Sequence, residues 1–173
     1  PVPMFFFPDR DSMIFHAAES SRTTHGSQEC IDACRLFASI LFNAFSGMDK
    51  ERVLFDHDEG IVKAPKIREI ASGLYREKKE KQIQGRGYVV KSLEAALWCF
   101  LATDSFSDAV LKAVNLGDDA DTTAAICGQL AGAFYGVPSI PASWMQCLTM
   151  NNEIKMLAEK LFIGTRQETL SNF

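Results

Sequence analysis

The chain has 173 residues, 47% of them hydrophobic and 23% charged, with a formal net charge of -4 at neutral pH. That length and apolar content suit one domain, 1–173, with a core of its own, and the acidic balance gives no reason to expect nucleic-acid binding. No run reaches the length of a membrane span, because the apolar stretch from Val110 to Gly136 is broken by an acidic loop.

Taken in order, the pattern is helical almost throughout. The opening Pro1 to Pro8, with Phe5, Phe6 and Phe7, lacks the positive flank and cleavage site of a signal peptide. Met13, Ile14, Ala17 and Ala18 predict a short helix. Cys30, Cys34, Phe37, Leu41 and Ala44 recur at three- and four-residue steps and predict a longer one ending near Gly47. Asp49 is a candidate cap for a segment holding Val53 and Leu54. Pro65 opens the next helix, with Ile67, Ile70, Ala71 and Leu74 on one face.

From Arg76 to Lys81 every residue is charged, and Gly85 and Gly87 follow closely, which reads as a solvated helix end running into a loop. Ser92 is a candidate cap for the stripe Leu93, Ala96, Leu97, Phe100 and Leu101. Ser105 and Asp108 have capping-box spacing ahead of Phe106, Ala109, Val110, Ala113 and Val114. After Gly136, Trp144 and Leu148 fit one short helix and Ile154, Leu157 and Leu161 a last one, with the final ten residues expected to fray. No strand alternation and no internal repeat stands out, so the expected fold is all-α. The five cysteines, Cys30, Cys34, Cys99, Cys127 and Cys147, form no C-x-x-C pair and are expected reduced and buried in a cytoplasmic protein, without zinc.

The chemistry concentrates between Gly117 and Gly136. Asp118, Asp119 and Asp121 with Thr122 crowd hard oxygen donors into five residues, a set suited to magnesium, manganese or calcium. An EF-hand is excluded, since neither Asp118 nor Asp119 is followed by Gly at the sixth position and Glu at the twelfth. The competing reading is a helix cap, for which one Asp would suffice; three close carboxylates repel unless a cation or strong donors compensate. Behind the loop Ala125, Gly128, Gly132 and Gly136 recur at helical spacing with little bulk, so that neighbouring helices can come close. No serine or cysteine nucleophile has a convincing partner, and the residues point to a metal-assisted reaction on an oxygen-rich substrate such as a phosphate or sugar.

The stretch Gly117 to Gly136 resembles the late signature of the ADP-ribosylglycohydrolases. Ser20-Ser21-Arg22-Thr23-Thr24-His25 resembles that family's Ser-x-x-Thr-His segment, and Gly87 to Trp98 the segment between. The resemblance implies an orthogonal multi-helix bundle, a pair of magnesium or manganese ions, and hydrolysis of the N- or O-glycosidic bond joining ADP-ribose to a modified side chain. By position, Asp119, Asp121 and Thr122 fall on metal ligands, Asp119 and Asp121 carrying the catalysis. His25, Gly87 and Tyr88 fall on the ADP-ribose pocket, and Asp118 receives no ligand role. The implied partners are ADP-ribose or an ADP-ribosylated protein.

Other family features are absent: a Gly-rich opening, a Gly-Asn-Gly-Ser loop, and the Thr-Asp-Asp-Thr segment that supplies further ligands. Thr103-Asp104-Ser105 is misplaced and lacks the second Asp. The chain thus resembles the later part of a family domain, as a fragment or a reduced form, and is expected by itself to be weakly active or inactive. The alternative is a non-catalytic helical interaction or structural module, with apolar surface such as Pro1 to Pro8 open to a partner or to a second copy in a homodimer.

Overall fold

The computed structural model describes residues 1–171, along which ten α-helices follow one another. They are α1 (Val2–Phe6), α2 (Arg10–Arg22), α3 (Gln28–Phe45), α4 (Lys50–Phe55), α5 (Pro65–Ala71), α6 (Val89–Leu101), α7 (Phe106–Asn115), α8 (Ala120–Tyr135), α9 (Ala142–Cys147) and α10 (Asn151–Ser171). Short 3₁₀ turns at Glu59–Ile61, Leu74–Glu77, Glu80–Gln82 and Val137–Ser139 join them, and no strand occurs among the described residues. The fold is all-α.

Side-chain caps set several of the starts. Asp9, Ser27, Asp49 and Ser105 each accept a hydrogen bond from a backbone N–H three residues on, satisfying donors that the first helical turn leaves open. Pro65 takes the first position of α5. That helix stops at Gly73, whose φ of +77° is left-handed, so Leu74 leaves the apolar face on which it was expected and lies exposed. Ser92 is no cap either. The helix begins one turn earlier, after Tyr88, and the buried Ser92 hydroxyl bonds back to the carbonyls of Tyr88 and Val89.

Three helices build the centre. Leu36, Ile40 and Leu41 of α3, Leu93, Ala96, Leu97 and Phe100 of α6, and Cys127, Leu130 and Ala131 of α8 share one cluster. Burying a large aliphatic side chain of this kind contributes about 1.5–3 kcal/mol. On the outer side, α7 packs against α8. A Cβ on Gly128 would lie 3.7 Å from Val110 and one on Gly132 3.8 Å from Phe106, so the small-residue stripe does admit a close neighbour. Ala125, expected in the same stripe, is exposed; the inward face of α8 runs through Thr123 and Cys127 instead.

The opening segment does not stand free. As α1 it packs on α2, with Phe6 stacked 3.9 Å from His16 and Phe7 set against Phe42 and Phe45 of α3. Apolar side chains are uncovered at the other end, at Leu148, Met150, Ile154 and Leu157. The charged stretch from Arg76 to Lys81 is also more engaged than a solvated helix end: Tyr75 beside it is buried, and Lys78 pairs with the buried Glu94. All five cysteines are free thiols, but only Cys99 and Cys127 are buried; Cys30 and Cys34 are half-buried and Cys147 is exposed. Helix α10 is continuous to Ser171 rather than frayed over the last ten residues, of which 172 and 173 lie outside the described residues. No helix among the described residues is long and apolar enough to cross a membrane.

Candidate functional site

The turn from α7 into α8 is made by two consecutive left-handed residues, Gly117 at φ +75° and Asp118 at φ +53°. It is held by a bond from outside: the Asp119 N–H donates to the Gly85 carbonyl at 2.7 Å. Gly85 permits that approach because a Cβ there would lie 2.9 Å from Thr123 Oγ1 and 3.4 Å from the Gly117 carbonyl oxygen. Thr123, fully buried, donates its hydroxyl back to the Asp119 carbonyl at 3.0 Å. The acidic turn and the 85–87 loop therefore form one unit.

Within that unit the Asp119 carboxylate leans over the loop, since a Cβ on Gly87 would be 3.1 Å from Asp119 Oδ2. It does not cap α8, because no side-chain capping bond is made at Asp119. Instead the Asp119 carboxyl lies within hydrogen-bond reach of Asp121 and holds the Asp121 carboxyl below its ordinary range, helped by the backbone N–H groups of Thr122 and Asp121. Two ionised carboxylates at that separation repel, so the pair calls for a shared proton or a cation. Asp121 and Thr122 are exposed and Asp119 is half-buried. Asp118 turns to Arg86, 3.7 Å from its carboxylate.

Two carboxylates and a neighbouring hydroxyl are hard oxygen donors of the kind a small divalent cation takes. They fit such an ion as part of a shell. No group of three or more His, Cys, Asp or Glu able to hold a metal gathers among the described residues.

Tyr88 follows Gly87 directly and is 40% exposed, so its ring borders the same surface. Its hydroxyl donates to Glu29 Oε2 at 2.6 Å and accepts from Lys66 Nζ at 2.8 Å, and the Lys66 ammonium also lies 5.1 Å from the ring centroid. These bonds lower the Glu29 carboxyl, chiefly through the Tyr88 hydroxyl, and raise the Lys66 ammonium. His25 is not drawn into the acidic turn. It is exposed in the α2–α3 connection, and its Nδ1 meets Thr24 Oγ1 at 3.1 Å. It precedes Glu29 by four positions, so chain geometry keeps their Cα atoms within about 14 Å of each other.

Glu29, Lys66, Gly85 and Arg86 were not singled out from the sequence. Glu29 reads as an ordinary first-turn acid of α3 and Lys66 as a surface residue of α5. Only the fold brings them to Tyr88. Gly85 carried a signal in its place just after the charged run, but a loop glycine does not announce which backbone it will touch.

Comparison with known proteins accords with this geometry. The family model described as ADP-ribosylglycohydrolase matches residues 1–170. The chain is 41% identical over 162 residues to the ADP-ribosylarginine hydrolase Tri1 of Pseudomonas putida (strain GB-1), covering 94% of this chain and 43% of that protein. It is 43% identical over 70 residues to the ADP-ribosyl-[dinitrogen reductase] glycohydrolase of Rhodospirillum rubrum, covering 40% of this chain and 24% of that protein. A solved structure titled ADP-ribosylglycohydrolase-related protein complex superposes with a TM-score of 0.88 at 36% identity, covering 95% of this chain and 57% of that one. The chain spans less than half the length of these curated relatives. Matched over nearly its whole length by the family model and by a solved structure of the same fold, it belongs to the ADP-ribosylglycohydrolase family.

Proposed function

We propose that this chain carries part of a metal-assisted ADP-ribosylglycohydrolase site, centred on Asp119 and Asp121. The observation that supports it most is the pair of carboxylates held together at the start of α8, with Asp119 making no capping bond. Magnesium or manganese bound there, with Thr122 as a neutral donor, would polarise a water and fix ribose hydroxyls.

The chain's own residues supply binding and placement. Glycosidic cleavage develops positive charge at the ribose C1, which the negative field of Asp119 and Asp121 stabilises. Gly87, lacking a side chain, leaves the face of the Asp119 carboxylate open to a sugar. Tyr88, steadied by Glu29 and Lys66, offers a ring edge to the ADP-ribose. His25 donates from the α2–α3 connection to a pyrophosphate or ribose oxygen. The substrate class is an ADP-ribosylated side chain, with arginine suggested by the name of the Tri1 relative.

Calorimetric titration of the pure chain with ADP-ribose, with and without magnesium or manganese, tests the reading. Binding should need the metal and weaken at least about tenfold in Asp119→Asn, with an unchanged circular dichroism spectrum. Equal affinity in Asp119→Asn would reduce the acidic turn to a structural element. Turnover of an ADP-ribosylated arginine peptide should be slow or absent, because two carboxylates place a metal-bound water poorly; fast turnover would refute the partial-shell reading. A homodimer through the exposed row at Leu148, Met150, Ile154 and Leu157 is the second reading, favoured if sedimentation gives twice the 19.2 kDa chain mass without ADP-ribose binding.

A further inference from the structure

Two of the thiols form a pair that the acidic turn does not use. Cys30 and Cys34 lie four residues apart in α3, whose first turn is fixed by Ser27, its hydroxyl accepting from the Cys30 N–H at 3.3 Å. An uninterrupted helix sets residues at that spacing on one face, one turn apart, with about 5–6 Å between their Cβ atoms. Both are free and half-buried, and neither is sealed into the core as Cys99 and Cys127 are.

The spacing decides what the pair can do. A disulfide needs about 3.5–4.5 Å between Cβ atoms, so the helix holds these thiols too far apart to close on each other. One ion between them asks for more room. Two collinear thiolate–metal bonds of about 2.3 Å each hold the sulfurs about 4.6 Å apart, a separation that rotation about the Cα–Cβ bonds can reach. Zinc would take two further ligands, and no third His, Cys, Asp or Glu joins the pair among the described residues. The pair therefore suits a soft ion that is satisfied by two sulfurs, and not the hard ions that oxygen donors take.

The surroundings accommodate the thiolates. Negative charge in the first two turns of α3 falls at the positive end of the helix dipole. Burial chiefly pushes the Cys34 thiol up, Ser21 of α2 offsets this with a hydrogen bond, and Cys30 adds repulsion, so the two sulfurs are near enough to sense each other. A cation between them turns that repulsion into attraction.

We infer that Cys30 and Cys34 form a two-thiolate site for a soft monovalent cation of the copper(I) class, at the seam between α2 and α3. Binding forms two metal–sulfur bonds and releases both thiol protons to solvent, with no change of oxidation state. The site shares no residue with the oxygen donors Asp119, Asp121 and Thr122.

Copper(I), held by a chromogenic chelator in anaerobic buffer, is titrated with the pure chain, and the loaded chain is then studied by X-ray absorption. One copper per chain should leave the chelator and show two sulfur neighbours. Cys30→Ser and Cys34→Ser should each weaken retention about a hundredfold, as expected when one of two linked ligands is lost. Cys147→Ser and Asp119→Asn should leave it unchanged, which separates the pair from the exposed thiol and from the acidic turn. The ligand count is read on the parent chain, so it stands even if a serine variant fails to fold. No copper taken from the chelator, a shell of three or more ligands, or retention lost in Cys147→Ser but kept in Cys30→Ser would each overturn the assignment.

Discussion

The Tyr88 hydroxyl donates to the Glu29 carboxylate at 2.6 Å, joining the first turn of α3 to the start of α6 beside the acidic turn. Because this bond is the main cause of the lowered Glu29 carboxyl, Tyr88→Phe should return Glu29 toward its ordinary value, read by carboxyl NMR titration. The sign follows from the depressed folded pKa: the contribution is complete above the unfolded value and disappears as pH falls through the folded one. Tyr88→Phe should also loosen ADP-ribose, with little change in melting temperature.

Gly85→Ala tests the junction between the two loops. The new methyl would press on Thr123 Oγ1 at 2.9 Å and on the Gly117 carbonyl, where neither backbone nor buried hydroxyl yields easily. A loss of about 1–3 kcal/mol in denaturant unfolding is expected, and the magnesium requirement for ADP-ribose should weaken with it. A variant as stable as the parent would show that the loop moves aside freely.

Asp32 is the buried pin of the α3–α5 contact. It is fully inaccessible and accepts from the Lys63 and Ala64 N–H groups at 2.6 and 2.7 Å, from Gln28, and from Arg35. Burial pushes its carboxyl up, yet the donors from Ala64, Lys63, Gln28 and Arg35 together hold it below its ordinary value. Asp32→Ala should cost about 3–5 kcal/mol by leaving those donors and a cation unpaired. In the parent chain this contribution is full at neutral pH and vanishes as acid drives the pH through the lowered folded pKa, so the acid limb of a pH–stability curve should flatten in the variant.

The thiols should separate by reactivity. Burial pushes Cys99 and Cys127 up to about 12, and Cys34 upward too, whereas Cys147 is exposed. Iodoacetamide at mild alkaline pH should label Cys147 first and leave Cys99 and Cys127 untouched until the protein unfolds, as peptide mapping would reveal. Early labelling of Cys127 would mean that α8 opens from α7 without global unfolding.

One-sided helices could be read directly from the residues. The apolar steps of α3 from Cys30 to Ala44 and the Ser105 start of α7 correspond to elements of the structure, because each opens on a side-chain cap ahead of its apolar run. Helix α6 was harder to bound, since Ser92 to Phe100 are all buried and a helix dry all round gives no phase by which to find its beginning. Leu74 was misplaced because a glycine three positions after Ile70 ends the helix, a backbone event that hydrophobic period does not register. In the candidate site, Asp119 and Asp121 stood out as neighbours in sequence. Glu29, Lys66 and Gly85 did not, because each matters only through a partner remote along the chain.

The amide of Asp119 is tied to a carbonyl in a different segment rather than to its own helix, and the Thr123 hydroxyl holds the carbonyl of the same residue. Its deuterium uptake therefore registers whether the two segments are docked, independently of whether α8 itself is intact. That single proton makes a built-in gauge: slow exchange at Asp119 would mark the docked state without any ligand present, and fast exchange there with α8 still protected would mark the undocked one.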